Sequence, residues 1–293
     1  MAWLQLSLTT SKEQAPLIEV LFENMDALSV TLGDAGDDPI LEPGLGETPL
    51  WQATQVTALF EGDRDPDSLR SLINQSLNSD VSRQLKIERL EDQAWERAWL
   101  ADFHPMPFGS RLWVCPTGQQ PKAENAIIME LDPGLAFGTG THPTTALCLK
   151  WLDGVDLKNK TVIDFGCGSG ILAVAALLLG AEQAIATDHD PQALQATLDN
   201  AKKNHVDSRL EIKEPNQMPP IQADILLANI LAGTLIQLET LLASQVKPGG
   251  RIILSGILIE QANDVSQAFS THFEMLPAIA QEEWVALEGT RIC

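Results

Sequence analysis

A glycine-rich segment between a predicted strand and a predicted helix limits the possible folds of this chain more than any other feature. The segment spans residues 164–170 and reads DFGCGSG, with an apolar strand pattern before it and a long apolar run after it. Glycines let the backbone turn sharply and approach a ligand without a Cβ in the way. The following helix begins with N–H groups that are free to bind a polar ligand. We therefore predict a ligand site at this junction.

Strands and helices are predicted to alternate from residue 157 onward. The predicted strands span 161–165, 184–188, 210–213, 223–228 and 251–255, and the predicted helices span 170–180, 191–204, 231–244 and 260–270. Two antiparallel strands, at 273–276 and 283–287, are expected to close the sheet. Such alternation is typical of a doubly wound α/β fold with a parallel sheet. In this class of sheet, ligands bind beyond the carboxyl ends of the strands.

Three polar residues near the ends of predicted strands are candidates for ligand contacts. Asp164 precedes the first glycine, and Asp188 ends the next strand, where a carboxylate can accept hydrogen bonds from ribose hydroxyls. Asp190 is an alternative to Asp188, and either can instead cap the helix that begins at Pro191. Asn229 ends a third, apolar strand and is predicted to point into the same crevice, unless it is a simple turn residue.

The spacing of the glycines argues against a dinucleotide ligand. A dinucleotide site has the pattern G-x-G-x-x-G, whereas here Gly170 comes one position early and Ile171 occupies the expected place. A second loop, FGTGTHPTT at 137–145, opens another predicted helix. Its hydroxyls can cap that helix or hold a ligand carboxylate. We interpret His142 as a loop histidine and not as a general base.

The first 90 residues follow a different pattern. Strands are predicted at 3–8, 27–32, 53–60 and 84–90, and helices at 13–25 and 67–77. This β-α-β-β-α-β order is the ferredoxin-like pattern. In the second helix, Leu69, Leu72 and Ile73 are expected to face the core.

A connector is predicted between the two patterns. Residues 91–101 are expected to form a short helix with Trp95 and Trp99 on one face, which we interpret as packing residues. The segment HPMPFG at 104–109 is expected to lack regular structure. The predicted domains are therefore 1–90, a connector at 91–109, and 110–293.

The charge of the chain indicates what class of partner it can bind. The formal net charge is −21, with −12 in residues 1–102 and −9 in residues 103–293. Nucleic-acid binding usually requires clustered Lys and Arg, so we expect no direct nucleic-acid contact. An acidic protein attracts basic partners, although solubility alone accounts for such a charge. The acidic loop at 34–49 either contacts a basic partner or is solvated.

Cysteine usage and hydropathy indicate a cytoplasmic protein. The four cysteines form no C-x-x-C pair and have no metal-ligand spacing, so no metal site is expected. Free thiols fit a reducing compartment. The N-terminus lacks the pattern of a signal peptide, and the longest apolar run, 171–179, is too short to span a bilayer. We expect a monomer that does not bind membranes.

Taken together, the motifs resemble those of the bacterial ribosomal protein L11 methyltransferase family, within the class I S-adenosylmethionine-dependent methyltransferases. The matching segments are GTGTHPTT at 138–145, DFGCGSGIL at 164–172 and ANIL at 228–231, and the resemblance extends over the full length. It implies a Rossmann-like catalytic domain after a ferredoxin-like domain, with S-adenosylmethionine as cofactor. The resemblance assigns the cofactor site to Thr145, Asp164, Gly166, Gly168, Asp188 and Asn229.

The resemblance also implies the reaction. Members of this family methylate the N-terminal α-amine and lysine ε-amines of L11, a basic ribosomal protein that the N-terminal domain recognises. Asn229 resembles the asparagine that orients the acceptor in amino-group methyltransferases. Here Ile230 and Leu231 replace the usual prolines and no aromatic residue follows, which favours a flexible aliphatic amine over a planar base.

Two other functions are alternatives. An RNA methyltransferase has the same catalytic domain but normally needs a basic surface, which this sequence lacks. A non-catalytic adaptor that binds S-adenosylmethionine is disfavoured because Asp188 and Asn229 are both present beside the glycine segment.

Overall fold

The computed structural model describes residues 3–36, 49–77, 82–90, 104–121, 123–132, 141–218 and 221–292. Contacts divide the chain into two compact units, Met1–Trp99 and Leu100–Cys293. The predicted connector helix with Trp95 and Trp99 lies outside the described residues. So do most of the acidic loop, at 37–48, and the start of the threonine loop, at 137–140.

Unit 1 consists of a four-stranded antiparallel sheet and two helices. Its elements are β1 (Trp3–Ser11), α1 (Ala15–Asn24), β2 (Ser29–Asp34), β3 (Ala53–Glu61), α2 (Pro66–Ser76) and β4 (Lys86–Leu90). The strand order is β2-β3-β1-β4, and every pair is antiparallel. The order of the elements along the chain is the predicted one.

The core of unit 1 lies between one face of this sheet and the two helices. Alternate residues of the central strands are buried, as period-two patterning requires: Leu4, Leu6, Leu8, Val56, Ala58 and Phe60. Leu69 and Ile73 of α2 are also buried, but Leu72 is 48% exposed, so its predicted place in the core was wrong. Leu72 lies at the edge of the apolar stripe, because successive helical residues are separated by about 100°.

Unit 2 begins with a three-stranded sheet formed by β5 (Met106–Phe108), β6 (Leu112–Cys115) and β7 (Ile127–Glu130). The prediction that residues 104–109 lack regular structure was wrong, because β5 pairs with β6 in antiparallel register. β5 is the edge strand of this sheet. Pro107 is tolerated there because an edge strand needs hydrogen bonds on one side only.

The remainder of unit 2 contains the main sheet and its helices. The helices are α3 (Pro143–Gly154), α4 (Ile171–Leu178), α5 (Pro191–Lys203), α6 (Ala232–Ser244) and α7 (Ala262–Phe269). The strands are β8 (Thr161–Phe165), β9 (Gln183–Thr187), β10 (Leu210–Lys213), β11 (Ala223–Asn229), β12 (Val246–Leu258), β13 (Phe273–Met275), β14 (Ile279–Gln281) and β15 (Trp284–Arg291). No helix among the described residues is long and apolar enough to cross a membrane.

The main sheet has the strand order β10-β9-β8-β11-β12-β15-β13, with β14 paired to β15. The pairs from β10 to β12 are parallel, and β15 is antiparallel to its neighbours. The chain runs from β8 outward to β10 and then returns to β11 on the other side of β8. The strand order therefore reverses between β8 and β11, which is where sheets of this class bind ligands.

The carboxylate of Asp153 joins the end of α3 to the small sheet. It accepts hydrogen bonds from the backbone N–H groups of Ser110, Arg111 and Leu112, at 3.0 Å for Leu112. Gly109 precedes this turn with φ 81°, and a Cβ there would lie 2.7 Å from the Cβ of Asp153. Burial alone would raise the pKa of Asp153, but hydrogen bonds led by those from Ser110 hold it below its usual value.

Candidate active site

The glycine segment forms the loop between β8 and α4, at the carboxyl edge of the sheet. Gly166, Gly168 and Gly170 all have positive φ values, of 73°, 53° and 75°. Such values favour glycine because a Cβ clashes with the backbone in the left-handed region. The loop is also bonded to the next strand, since the N–H groups of Gly166 and Cys167 both donate to the carbonyl of Thr187, at 2.8 and 3.1 Å.

Two side chains of α5 fix the far side of this loop. The hydroxyl of Thr197 donates to the carbonyl of Gly168 at 3.1 Å, and the amide of Asn200 donates to the carbonyl of Ser169 at 2.8 Å. A Cβ on Gly170 would lie 2.6 Å from Cγ2 of Thr197, so this glycine is required for the close packing of loop and helix. Neither side chain was predicted from the sequence. Their spacing of three residues on the inner face of an amphipathic helix was the available signal.

Asp188 follows β9 and lies directly beside the loop. One carboxylate oxygen accepts the N–H of Gly168 at 3.0 Å, and the other accepts the N–H of Asp190 at 3.0 Å. A carboxylate oxygen can accept more than one hydrogen bond, so both retain acceptor capacity. The residue is only 9% exposed. A nearly buried acceptor next to a glycine loop fits the diol of a ribose.

Asp190, the alternative to Asp188, has a different role. Its side chain accepts the N–H of Gln192 at 2.8 Å and thereby caps α5, which has Pro191 in its first turn. This is the helix-cap arrangement considered as the alternative for these aspartates.

Asp164 is buried in β8, and its carboxylate accepts the N–H of Ala173 in the first turn of α4 at 2.9 Å. Gly170 precedes this helix and has no side chain that can cap it, so Asp164 satisfies one of the free N–H groups from the neighbouring strand. Burial raises the pKa of Asp164 to about 7, and the hydrogen bond from Ala173 limits the rise.

Asn229 ends β11, immediately beside the end of β8, where Ala228 pairs with Phe165. Its side-chain amide donates to the hydroxyl of Thr145 at 3.2 Å. Thr145 is 1% exposed and lies in the first turn of α3. The structure thus brings Asn229 and Thr145 together next to the glycine loop. The position of Asn229 was predicted from the carboxyl end of its parallel strand, whereas Thr145 comes from α3 and was assigned through the resemblance alone.

His142 caps α3, a role that we had expected of the threonine hydroxyls. Its Nδ1 accepts the N–H of Thr144 at 3.4 Å and lies 2.8 Å from the hydroxyl of that residue. A neutral ring that accepts at Nδ1 carries its proton on Nε2. Burial lowers the pKa of His142, although Glu282 opposes this effect. The lone pair on Nδ1 is thus engaged in the helix cap, and the lowered pKa makes the ring a weaker base than a free histidine.

Trp284 places an aromatic ring against His142, although it is far from Asn229 in the sequence. Its ring contacts His142 edge-to-face, with the centroids 4.9 Å apart. Trp284 pairs with Leu258 at the end of β12, which places it at the same edge of the sheet as the glycine loop. Trp284 was not predicted from the sequence because only the antiparallel pairing of β15 brings it to this edge.

The described thiols and carboxylates provide neither a nucleophile nor a metal site here. Burial raises the pKa of Cys148 to about 12 and also raises that of Cys167, so both thiols stay protonated at neutral pH. Within the described ranges, no group of three or more His, Cys, Asp or Glu residues can hold a metal ion.

Comparison with known proteins identifies the family. The family model described as "Ribosomal protein L11 methyltransferase (PrmA)" matches residues 2–292. The ribosomal protein L11 methyltransferase of Hahella chejuensis is 52% identical over 292 residues, which cover 100% of this chain and 99% of that protein. That of Azotobacter vinelandii is 51% identical, covering 99% of this chain and 100% of its own length.

A solved structure agrees with this assignment. The crystal structure of ribosomal protein L11 methylase from Lactobacillus delbrueckii subsp. bulgaricus matches with a TM-score of 0.58 and 32% identity. The match covers 65% of this chain and 100% of that chain. The chain therefore belongs to the ribosomal protein L11 methyltransferase family and has the fold of class I S-adenosylmethionine-dependent methyltransferases.

Proposed function

We propose that this protein transfers methyl groups from S-adenosylmethionine to amines of ribosomal protein L11. One observation carries the proposal: Asn229, whose amide can orient an acceptor, ends the strand next to the glycine loop at the switch point of the sheet. The acceptor class is the lysine ε-amine and the N-terminal α-amine, as the resemblance implies. The family match over residues 2–292 supports L11 as the substrate.

We assign the cofactor site to the residues that converge on this crevice. Asp188 accepts hydrogen bonds from the ribose hydroxyls, and Gly166 and Gly168 let the loop approach the cofactor. Asp164 and Thr145 shape the two sides of the site, through Ala173 and Asn229 respectively. The nearly buried carboxylate of Asp188, with acceptor capacity left on both oxygens, supports this assignment.

The chemistry requires orientation of the acceptor more than acid–base catalysis. When bound, S-adenosylmethionine supplies a methyl group activated by its sulfonium. An amine attacks only when unprotonated, and removal of the amine from water on binding favours that form. The Nδ1 lone pair of His142 is engaged in the cap of α3, and the chain contains no tyrosine. We therefore assign the catalytic contribution to Asn229, which orients the neutral amine while water accepts its proton.

We further propose that residues 1–90 form a ferredoxin-like domain that recognises the substrate and that 110–293 catalyse transfer. Residues 91–109 are proposed to connect them, with the end of this connector forming β5 (Met106–Phe108) of unit 2. The element order of unit 1 and its strand order β2-β3-β1-β4 support the first part. We also propose a cytoplasmic monomer that binds the basic protein directly and does not bind RNA. The net charge of −21 supports the preference for a basic protein over RNA.

A labelling assay tests the proposed function. The protein is incubated with methyl-labelled S-adenosylmethionine and unmethylated ribosomal components, after which protein and RNA are separated and counted. We expect label in L11 alone, and loss of that label with Asn229→Ala. Label in RNA would contradict the proposed substrate. Cofactor binding without any transfer would instead favour the non-catalytic adaptor.

A further inference from the structure

Ile230, the residue after Asn229, contacts two glycines: Gly166 in the glycine loop and Gly256 in β12. A Cβ on Gly166 would overlap Cγ2 of Ile230. A Cβ on Gly256 would overlap the carbonyl oxygen of Ile230 and lie 2.8 Å from its carbonyl carbon and 3.1 Å from its nitrogen. Both glycines have positive φ values, of 73° and 80°. The side chain of Ile230 thus packs against the glycine loop at Gly166, and its backbone packs against Gly256 of β12.

The contact with Gly256 is produced by an irregularity in β12. Asn229 pairs with Ser255 in parallel register, and directly after this pair the register between β12 and β15 shifts, between Leu254 and Ile257. One extra residue in one strand is a β-bulge, which re-aims the chain locally. The hydroxyl of Ser255 donates to the carbonyl of Val285 at 3.2 Å and ties the bulge to β15. The bulge therefore holds Gly256 against the backbone of Ile230.

We propose that Ile230 is a positioning residue that sets the distance between the glycine loop and Asn229. This inference rests on the proposed function. Three contacts fix the segment: Gly166 beneath the Ile230 side chain, Gly256 against its backbone, and Thr145 on the amide of Asn229. A shift of Ile230 displaces Asn229 relative to the loop, and hence the acceptor amine relative to the methyl group. A misplacement of about 1 Å lowers a transfer rate by as much as about 100-fold.

The proposal requires a methyl branch at Cβ of residue 230. The atom against Gly166 is Cγ2, the branch methyl, which valine shares with isoleucine and leucine lacks. Leucine has nearly the same volume, so Ile230→Leu removes the contact without emptying the site. Ile230→Val keeps the contact and removes only the terminal methyl. Ile236 is 41% exposed on α6, so Ile236→Leu is a matched control for the same chemical change.

The test is the single-turnover rate of methyl transfer to L11 at saturating S-adenosylmethionine, with cofactor affinity measured separately. We expect Ile230→Leu to lower the rate about tenfold or more, and Ile230→Val to restore it to within about threefold of the wild type. Cofactor Kd is expected to stay within about threefold in both, and Ile236→Leu is expected to match the wild type. Equal rates for the Leu and Val variants, or a loss confined to cofactor affinity, would overturn the proposal.

A second pair of variants tests the two contacts of Ile230 separately. Truncation in Ile230→Ala removes Cγ2, so it relieves the overlap that Gly166→Ala creates, and the double variant is expected to be faster than Gly166→Ala alone. Gly256→Ala collides with backbone atoms, which Ile230→Ala leaves in place, so no such recovery is expected there. Recovery in both pairs, or in neither, contradicts the geometry. If the wild type does not methylate L11, the proposed function fails and this inference fails with it.

Discussion

At the scale of single residues, the glycine loop depends on side chains that need not touch a ligand. The carboxylate of Asp164 accepts an N–H group in the first turn of α4. Gly170, which precedes that helix, cannot do so because it has no side chain. Thr197 and Asn200 bond the two carbonyls on the outer side of the loop. These contacts fix the backbone before a ligand arrives, so part of the ordering cost of binding is met in advance.

Asp164 makes stability depend on pH in a predictable direction. Burial raises its pKa from the ordinary value of 3.8 to about 7, so the native state binds more protons than the unfolded state between these values. Its contribution to stability is therefore complete below about pH 4 and is lost as the pH rises toward 7. An asparagine at position 164 does not ionise, so Asp164→Asn does not lose stability in this way. Between about pH 4 and 7 the difference in free energy of unfolding, variant minus wild type, is therefore expected to rise by up to roughly 4 kcal/mol. Denaturant unfolding across this pH range measures the difference, and a difference that stays constant would contradict the expectation.

Thr197→Val tests whether the α5 contacts preorganise the loop. The change keeps the side-chain shape but removes the hydroxyl that donates to Gly168 at 3.1 Å. We expect S-adenosylmethionine affinity to fall about 5- to 10-fold, since a lost hydrogen bond costs about 1 kcal/mol or somewhat more. Gln195→Ala, on the exposed face of the same helix, is the control and is expected to leave affinity unchanged. Calorimetric titration measures both, and equal affinities would refute the role of Thr197.

At the scale of secondary-structure elements, Asp153 is the residue that joins α3 to the β5–β6 turn. Asp153→Ala leaves the N–H groups of the 110–112 turn without their acceptor, and of these three residues Leu112 is buried whereas Ser110 and Arg111 are exposed. We expect a loss of about 1–3 kcal/mol in the free energy of unfolding, because the N–H of Leu112 is left unsatisfied in a buried position while water can reach the exposed donors. Asp156→Ala, an exposed change nearby, is expected to stay within about 0.5 kcal/mol. Equal stabilities in urea denaturation would show that the turn finds other acceptors.

The elements that could be predicted from the sequence are those with a strong local signal. A proline in the first turn predicted α5, the threonine loop predicted the start of α3, and apolar runs predicted the parallel strands. β14 and the edge strand β5, which contains Pro107, were missed because short strands are defined by their partners. The same holds for the bulge in β12, which is visible only as a shift of register against β15.

Some residues of the candidate site could be predicted from the sequence, and others could not. Asp188, Asn229 and the glycine loop were predicted to converge because parallel strands share a carboxyl edge. Thr197 and Trp284 were not predicted, since they reach this edge through helix packing and an antiparallel return. His142 was expected to have no specific task, yet it caps α3. Histidine is not a typical cap residue, so composition gave no reason to expect this.

At the scale of the whole molecule, the charge of −21 is expected to steer a basic substrate toward this protein. The association rate with L11 is therefore expected to fall about tenfold or more between low and physiological ionic strength, while the dissociation rate changes less. Stopped-flow mixing at several salt concentrations measures both rates. An association rate that does not depend on salt would show that the acidic surface serves solubility alone.

The central claim is that the crevice between β8 and β11 binds S-adenosylmethionine through Asp188. Calorimetric titration of the wild type, Asp188→Ala and Asp190→Ala with S-adenosylmethionine tests it most directly, because the two aspartates are close in sequence and only one lies beside the glycine loop. We predict that Asp188→Ala lowers the affinity about 100-fold, as two charge-assisted hydrogen bonds are lost, and that Asp190→Ala changes it by less than about threefold. The reverse order, or equal effects of both variants, would contradict the assignment of the site.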